Sequence, residues 1–246
     1  MLQNGNFMEH WDDMEPTSFF LINQQPKGWH LEWIEPGQAL YDDPNQMARG
    51  IPECVHKLSG QLPQNEQKGA RDALILDGDT TYKIFHATSP FGATLSQTVT
   101  GLQPGTKATL TVPIQVHLHG ETDVFGAESA VWVNDQGGWA NGFDMGDRKW
   151  HSHKVEFEVP EDGRAEIVIR VKSKWPRAKD FFFDGITLDA TSGDSDSGDD
   201  GGGDVDEPRQ TVRVQLPAGF RLRHAVVDSG QEVTISTPPN IDVIQE

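Results

Sequence analysis

Along residues 1–190, apolar side chains recur at every second position rather than every third or fourth. In 109–118 (TLTVPIQVHL), Leu110, Val112, Ile114, Val116 and Leu118 share one face of an extended chain, because successive Cβ atoms alternate across a strand. Similar runs stand at 81–87 (TYKIFHA), 93–100 (ATLSQTVT), 130–134 (AVWVN), 154–159 (KVEFEV), 165–172 (AEIVIRVK) and 181–188 (FFFDGITL). Turn chemistry such as QPGT, NDQGG and PEDG punctuates them. No window of a dozen residues carries an amphipathic helix. Many short strands without intervening helices predict an all-β fold, an antiparallel β-sandwich of the jelly-roll kind.

The pattern stops at 191–207 (TSGDSDSGDDGGGDVDE), where seven acids stand among Gly and Ser with no aromatic residue. Such a stretch buries too little apolar surface to offset its ordering entropy, which predicts a disordered acidic linker. Residues 208–246 return to the strand idiom (TVRVQL, RHAVVD, EVTIST), but about 40 residues are too few for an independent core. They read as a short β-rich segment, either the start of a further module of the same polypeptide or a segment that packs on the first domain. The expected organisation is thus a sandwich over 1–190, a linker over 191–207 and the β-rich segment over 208–246.

Charge narrows the partners. The chain has 20 Lys+Arg against 38 Asp+Glu, a net −18, and the linker supplies −7 of it. Because 208–246 holds four Arg and four acids, the remaining −11 belongs to 1–190. Nucleic acid and anionic membrane are therefore not expected partners, since both need a basic surface. Nor does any stretch approach the roughly 20 apolar residues of a membrane span. The start, MLQNGNFMEHWDDM, lacks the basic and apolar regions of a signal peptide. A single cysteine, Cys54, allows neither an intramolecular disulfide nor a thiolate cluster.

Four stretches carry a family resemblance: LQNGNFMEH at 2–10 followed by PKGWH at 26–30, LSQTVTGLQPGTKATLTV at 95–112, KWHSHKVEFEVPEDG at 149–163 and FFFDGITLD at 181–189. In order and spacing the chain resembles the carbohydrate-binding modules of jelly-roll, galactose-binding-like fold that accompany secreted polysaccharide-active enzymes. The resemblance implies a non-catalytic, extracellular or cell-surface module that targets an attached domain to polysaccharide or glycan. It also implies a structural calcium between the N-terminal segment and the final strand, with Glu9 and Asp184 at the ligand positions and Asn4 and Asp79 as further oxygens. A hard cation needs six to eight oxygens, and Asp184, alternating with Phe182 and Ile186, is expected among inward-facing apolar side chains. Without a cation, the same Asp would cap a turn or pair with an arginine.

Sugar recognition needs flat aromatic faces and directional hydrogen bonds. Of the seven tryptophans, Trp29 and Trp150 sit in motifs that look structural. Trp139, in NDQGGWANGFD, is read as loop-borne and as the leading ligand-binding candidate. Trp132 alternates against Val131 and Val133 and is expected to extend the same surface; Trp33 and Trp175 stand near turns. Gln115, His117 and His119 are polar and uncharged at period two, a set suited to orienting hydroxyls. Around Trp175, the cations Arg170, Lys172, Lys174, Arg177 and Lys179 would favour an anionic sugar if they are not neutralised.

Enzyme readings are weaker. Two HxH pairs, His117/His119 and His151/His153, would suit a transition metal if their strands were adjacent, but their alternation sends them to different faces, and the cupin carboxylate is missing. A glycosidase or lyase needs two carboxylates about 5–9 Å apart, whereas Glu156 and Glu158 flank Lys154 on an outward side. The linker's DSGDDGGGDVDE lacks the third-position ligand and flanking helices of an EF-hand. The alternative to sugar binding is a structural or adhesion module.

Overall fold

The computed structural model describes residues 1–16 and 21–190. The predicted linker and C-terminal segment lie outside these residues. Among the described residues fifteen strands form: β1 (Trp11–Asp13), β2 (Gln24–Pro26), β3 (His30–Trp33), β4 (Ala39–Leu40), β5 (Asp43–Met47), β6 (Glu53–Leu58), β7 (Thr80–His86), β8 (Phe91–Val99), β9 (Lys107–His117), β10 (Ala127–Val133), β11 (Gln136–Asn141), β12 (Trp150–Glu158), β13 (Ala165–Ser173), β14 (Lys179–Phe183) and β15 (Thr187–Ala190). Two antiparallel sheets face each other, in the orders β11-β10-β13-β8-β3 and β12-β9-β14-β7-β6, with β15 also pairing on β9. Small ribbons β1-β2 and β4-β5 complete the unit. Among the described residues, no helix is long and apolar enough to cross a membrane.

The alternation read from the sequence builds the core. Val131, Val133, Ile167, Ile169, Val171 and Leu95 point inward from the first sheet; Leu110, Val112, Ile114, Val116, Phe181 and Phe183 do so from the second. Each fully buried side chain of this size contributes roughly 1.5–3 kcal/mol. Trp29 belongs to this core, its Nε1 donating to the Asn4 carbonyl at 3.2 Å.

Two sequence expectations are corrected. The run 181–188 is two strands, since Asp184, Gly185 (φ 68°) and Ile186 turn the chain between β14 and β15. Phe182 therefore faces outward, with Phe181 and Phe183 inward. Trp139 is on a strand rather than a loop: Asn134 adopts φ 53° and turns β10 tightly back into β11, pairing Val133 with Gln136. Gly137 permits this, because a Cβ there would meet the Trp132 Cα at 2.8 Å. Trp150 is only half-buried and lies outside the main core, on a second cluster where Leu62, Leu74 and Ile75 cover Phe182 on the outer face of the six-stranded sheet. Its Nε1 donates to the Ala73 carbonyl at 2.9 Å.

Candidate functional site

Strand register places Trp132, Trp139 and Arg170 on the outer face of the five-stranded sheet, since Ala130 pairs with both Trp139 and Arg170 while Val131 and Val133 point into the core. The two indoles are half-exposed and meet edge to face, with centroids 5.5 Å apart at 84°. Tyr41 joins them from the turn between β4 and β5, 5.6 Å from the Trp139 ring, with its hydroxyl 3.0 Å from Thr94 Oγ1. Burial pushes the Tyr41 phenol well above its ordinary range, so it stays neutral.

Cations complete the face. The Lys172 ammonium lies 4.0 Å from the Trp139 centroid, and the Arg170 guanidinium stands 4.9 Å from Tyr41 and 5.2 Å from Trp132. Glu128 is held by Lys172 and Lys174, each at 2.8 Å. Burial by itself would lower the Lys172 ammonium, but Glu128 and Asp42 hold it above its usual value. The result is a rigid aromatic face bordered by fixed charges. It can stack the C–H side of a pyranose and offers donors and acceptors at its rim.

Gln115 and His117 lie on the opposite side of the molecule. They project outward from β9 in the six-stranded sheet, yet are only 3% and 4% exposed. The structure thus does not bring them together with Trp132 and Trp139: alternation places them on a polar face but carries no information on which sheet β9 joins. The His117 Nε2 and Gln115 Oε1 are 3.1 Å apart, and burial lowers the His117 imidazole to about 4. His119, just past the strand at φ 49°, hydrogen-bonds Asp180, which is also 2.6 Å from the Lys83 ammonium. Side-chain ligand atoms of His117, His119 and Asp180 lie within 4.8 Å of one another. Sequence reasoning missed Asp180 because it reaches this group only through β14-β9 pairing. His151 and His153 take the inner side of β12, where His153 Nε2 is 2.8 Å from Ser129 Oγ.

The remaining candidates are dispersed. Trp175 is tied by Nε1 to Asp123 at 2.8 Å, and Trp33 packs against the core with its Nε1 bonded to Glu35 at 3.0 Å. Lys179 is buried near Glu121, and Arg177 donates to the Gly120 carbonyl. Glu9 is paired with Lys27 at 3.3 Å. Asp184 is fully buried: Oδ2 accepts from the Leu76 and Asp77 amides at 2.6 and 2.9 Å, and Oδ1 from Gly185 at 2.7 Å. Burial raises its carboxyl to about 7 in spite of these donors. Asn4 is also spent, accepting from the Glu9 amide and donating to the Lys27 carbonyl. The side-chain oxygens of Asp184, Asn4 and Glu9 are thus engaged with N–H groups and an ammonium, which is not the six-to-eight-oxygen shell that calcium needs.

No protein-family model matches the chain, and no curated protein matches it. Among solved structures it is similar to a family 61 carbohydrate-binding module in complex with β-1,4-galactotriose (16% identity, TM-score 0.46, covering 77% of this chain and 97% of that one). It is also similar to the enzymatically active domain of bacteriophage CBA120 tailspike protein 4 (13%, 0.39, 67% and 20%). A third likeness is to carbohydrate-binding modules of the β-sandwich superfamily with promiscuous specificity (13%, 0.39, 65% and 56%).

Proposed function

We propose that the protein is a non-catalytic carbohydrate-binding module that takes polysaccharide or glycan on the outer face of its five-stranded sheet. The observation that carries this reading is the Trp132–Trp139 pair, half-exposed on the outer face of the sheet at its β11 edge and joined by Tyr41. Rings fixed by strand pairing lose little entropy on binding, which suits a sugar site of micromolar to millimolar affinity. Glu128, the carboxylate beside them, is spent on two lysines, which supports binding over acid–base catalysis. In this reading the module works outside the cell, and the acidic 191–207 stretch tethers it to a further domain, raising that domain's effective concentration on the polymer.

The test is a glycan array with insoluble-polysaccharide pull-downs, using wild type, Trp132→Ala and Trp139→Ala of matched melting temperature. Binding by wild type that both variants lose supports the proposal; no binding to any glycan sinks it. The adhesion alternative rests on a different feature. Phe125, in a turn, and Phe143, in the one-turn helix Gly142–Met145, are 53% and 76% exposed, and the Gly142 amide donates to the Val124 carbonyl. Phe143→Ala would weaken a protein partner while leaving glycan binding intact.

A further inference from the structure

The cations of the aromatic face are unequally engaged. Lys172 lies 3.0 Å from Asp42 and 2.8 Å from Glu128; Lys174 lies 2.8 Å from Glu128 and 3.8 Å from Asp43. Arg170, at the centre, forms no ion pair or hydrogen bond among the described residues. Its contacts are the Tyr41 and Trp132 rings, and its Nε is buried without an acceptor. An exposed arginine such as Arg49 is solvated by water and needs no partner. A half-buried guanidinium clamped between two rings, in a chain of net charge −18, is a different case. Its two terminal nitrogens are not buried, and among the described residues no carboxylate is drawn onto them, so they stand open to a ligand's acceptor.

We infer that Arg170 is the anion-recognising residue of the sugar site, and that the ligand is an acidic saccharide carrying a uronic-acid carboxylate. This rests on the sugar-binding reading and narrows it. A guanidinium held against two rings can present its two terminal N–H groups to a planar carboxylate, the geometry of a bidentate pair. Trp132 links the two halves of the site, since it flanks Arg170 on one side and meets Trp139 on the other. A pyranose stacked on the indoles thus holds its carboxylate toward the one cation that no side chain has neutralised. Lys172 cannot take this role, because Glu128 and Asp42 already neutralise it.

The experiment compares affinities for polygalacturonate, alginate and glucuronoxylan with those for the carboxyl-reduced form of each polymer. Salt is kept near 0.15 M, where the Debye length of about 8 Å screens the chain's overall negative charge. Wild type is expected to bind at least one acidic polymer tenfold or more tightly than its reduced form. Arg170→Gln should abolish that margin and keep the weaker neutral binding; Arg170→Lys should recover only part of it, while Trp139→Ala should lose both. Equal binding of acidic and reduced forms by wild type, or a margin that survives in Arg170→Gln, overturns the inference and leaves the sugar-binding reading standing. No binding in the panel or on the array overturns both.

Discussion

Single residues separate a ligand-ready ring from a structural one here. Trp29 and Trp139 have the same side chain, but the first is 3% exposed in the core and the second half-exposed beside Trp132. Truncating a central aromatic anchor typically costs about 2 kcal/mol or more, so Trp132→Ala should weaken glycan binding roughly 30-fold, as read by isothermal titration. The contrast was partly legible in the sequence. Alternation against Val131 and Val133 sent Trp132 outward, but nothing local said that Tyr41 or Arg170 would meet it. A second residue-scale outcome concerns pH. Burial lowers His56, His117 and His153 to about 4, each below the ordinary histidine value. Between pH 6.5 and 4 the unfolded chain therefore binds more protons at these sites, and their contribution is full above 6.5 and lost toward 4. Asp184, raised to about 7, acts in the opposite sense over much of that window, so the test is a difference between variants. His153→Gln, which can still hydrogen-bond Ser129, should show a shallower fall in melting temperature from pH 6.5 to 4 than wild type. Parallel curves would contradict it.

At the scale of elements, the sequence is least legible where a strand departs from simple alternation. β11 reads as a turn because QGGWAN contains two glycines, yet Gly137 is what lets it pack against β10. β6 lacks a plain apolar alternation because His56 occupies an inward position, where its ring lies 4.4 Å from Trp11 and 5.0 Å from Tyr82. The FFFDGITL run hid a break at Asp184, whose carboxylate fastens the 76–77 segment to the end of β14. Asp184→Ala would strand three amide donors, each costing about 1–3 kcal/mol when buried and unpaired. A urea titration should therefore show a loss of about 3 kcal/mol or more, and a smaller loss for Asp184→Asn, which keeps one acceptor oxygen. A loss under about 1 kcal/mol in Asp184→Ala would contradict this role.

For the whole molecule, the sandwich was legible because two-residue periodicity is repeated in most of the long strands, β8, β9, β12 and β13 among them. The assignment of strands to sheets was not, since pairing is set by long-range register. That is why Gln115 and His117 were grouped with tryptophans from which the fold separates them by both sheets. The fold's closure by direct hydrogen bonds has a further consequence: because Asp184, Asn4 and Glu9 are engaged with protein partners, EDTA should leave the melting temperature unchanged to within about a degree, and a clear rise on adding calcium would contradict that. The central claim is that sugar binds the five-stranded sheet and not the six-stranded one. Its most direct test is affinity electrophoresis of wild type, Trp139→Ala and Trp150→Ala in gels carrying a polysaccharide that wild type binds. Retardation lost in Trp139→Ala and kept in Trp150→Ala is the predicted result; the reverse pattern would move the site to the other face.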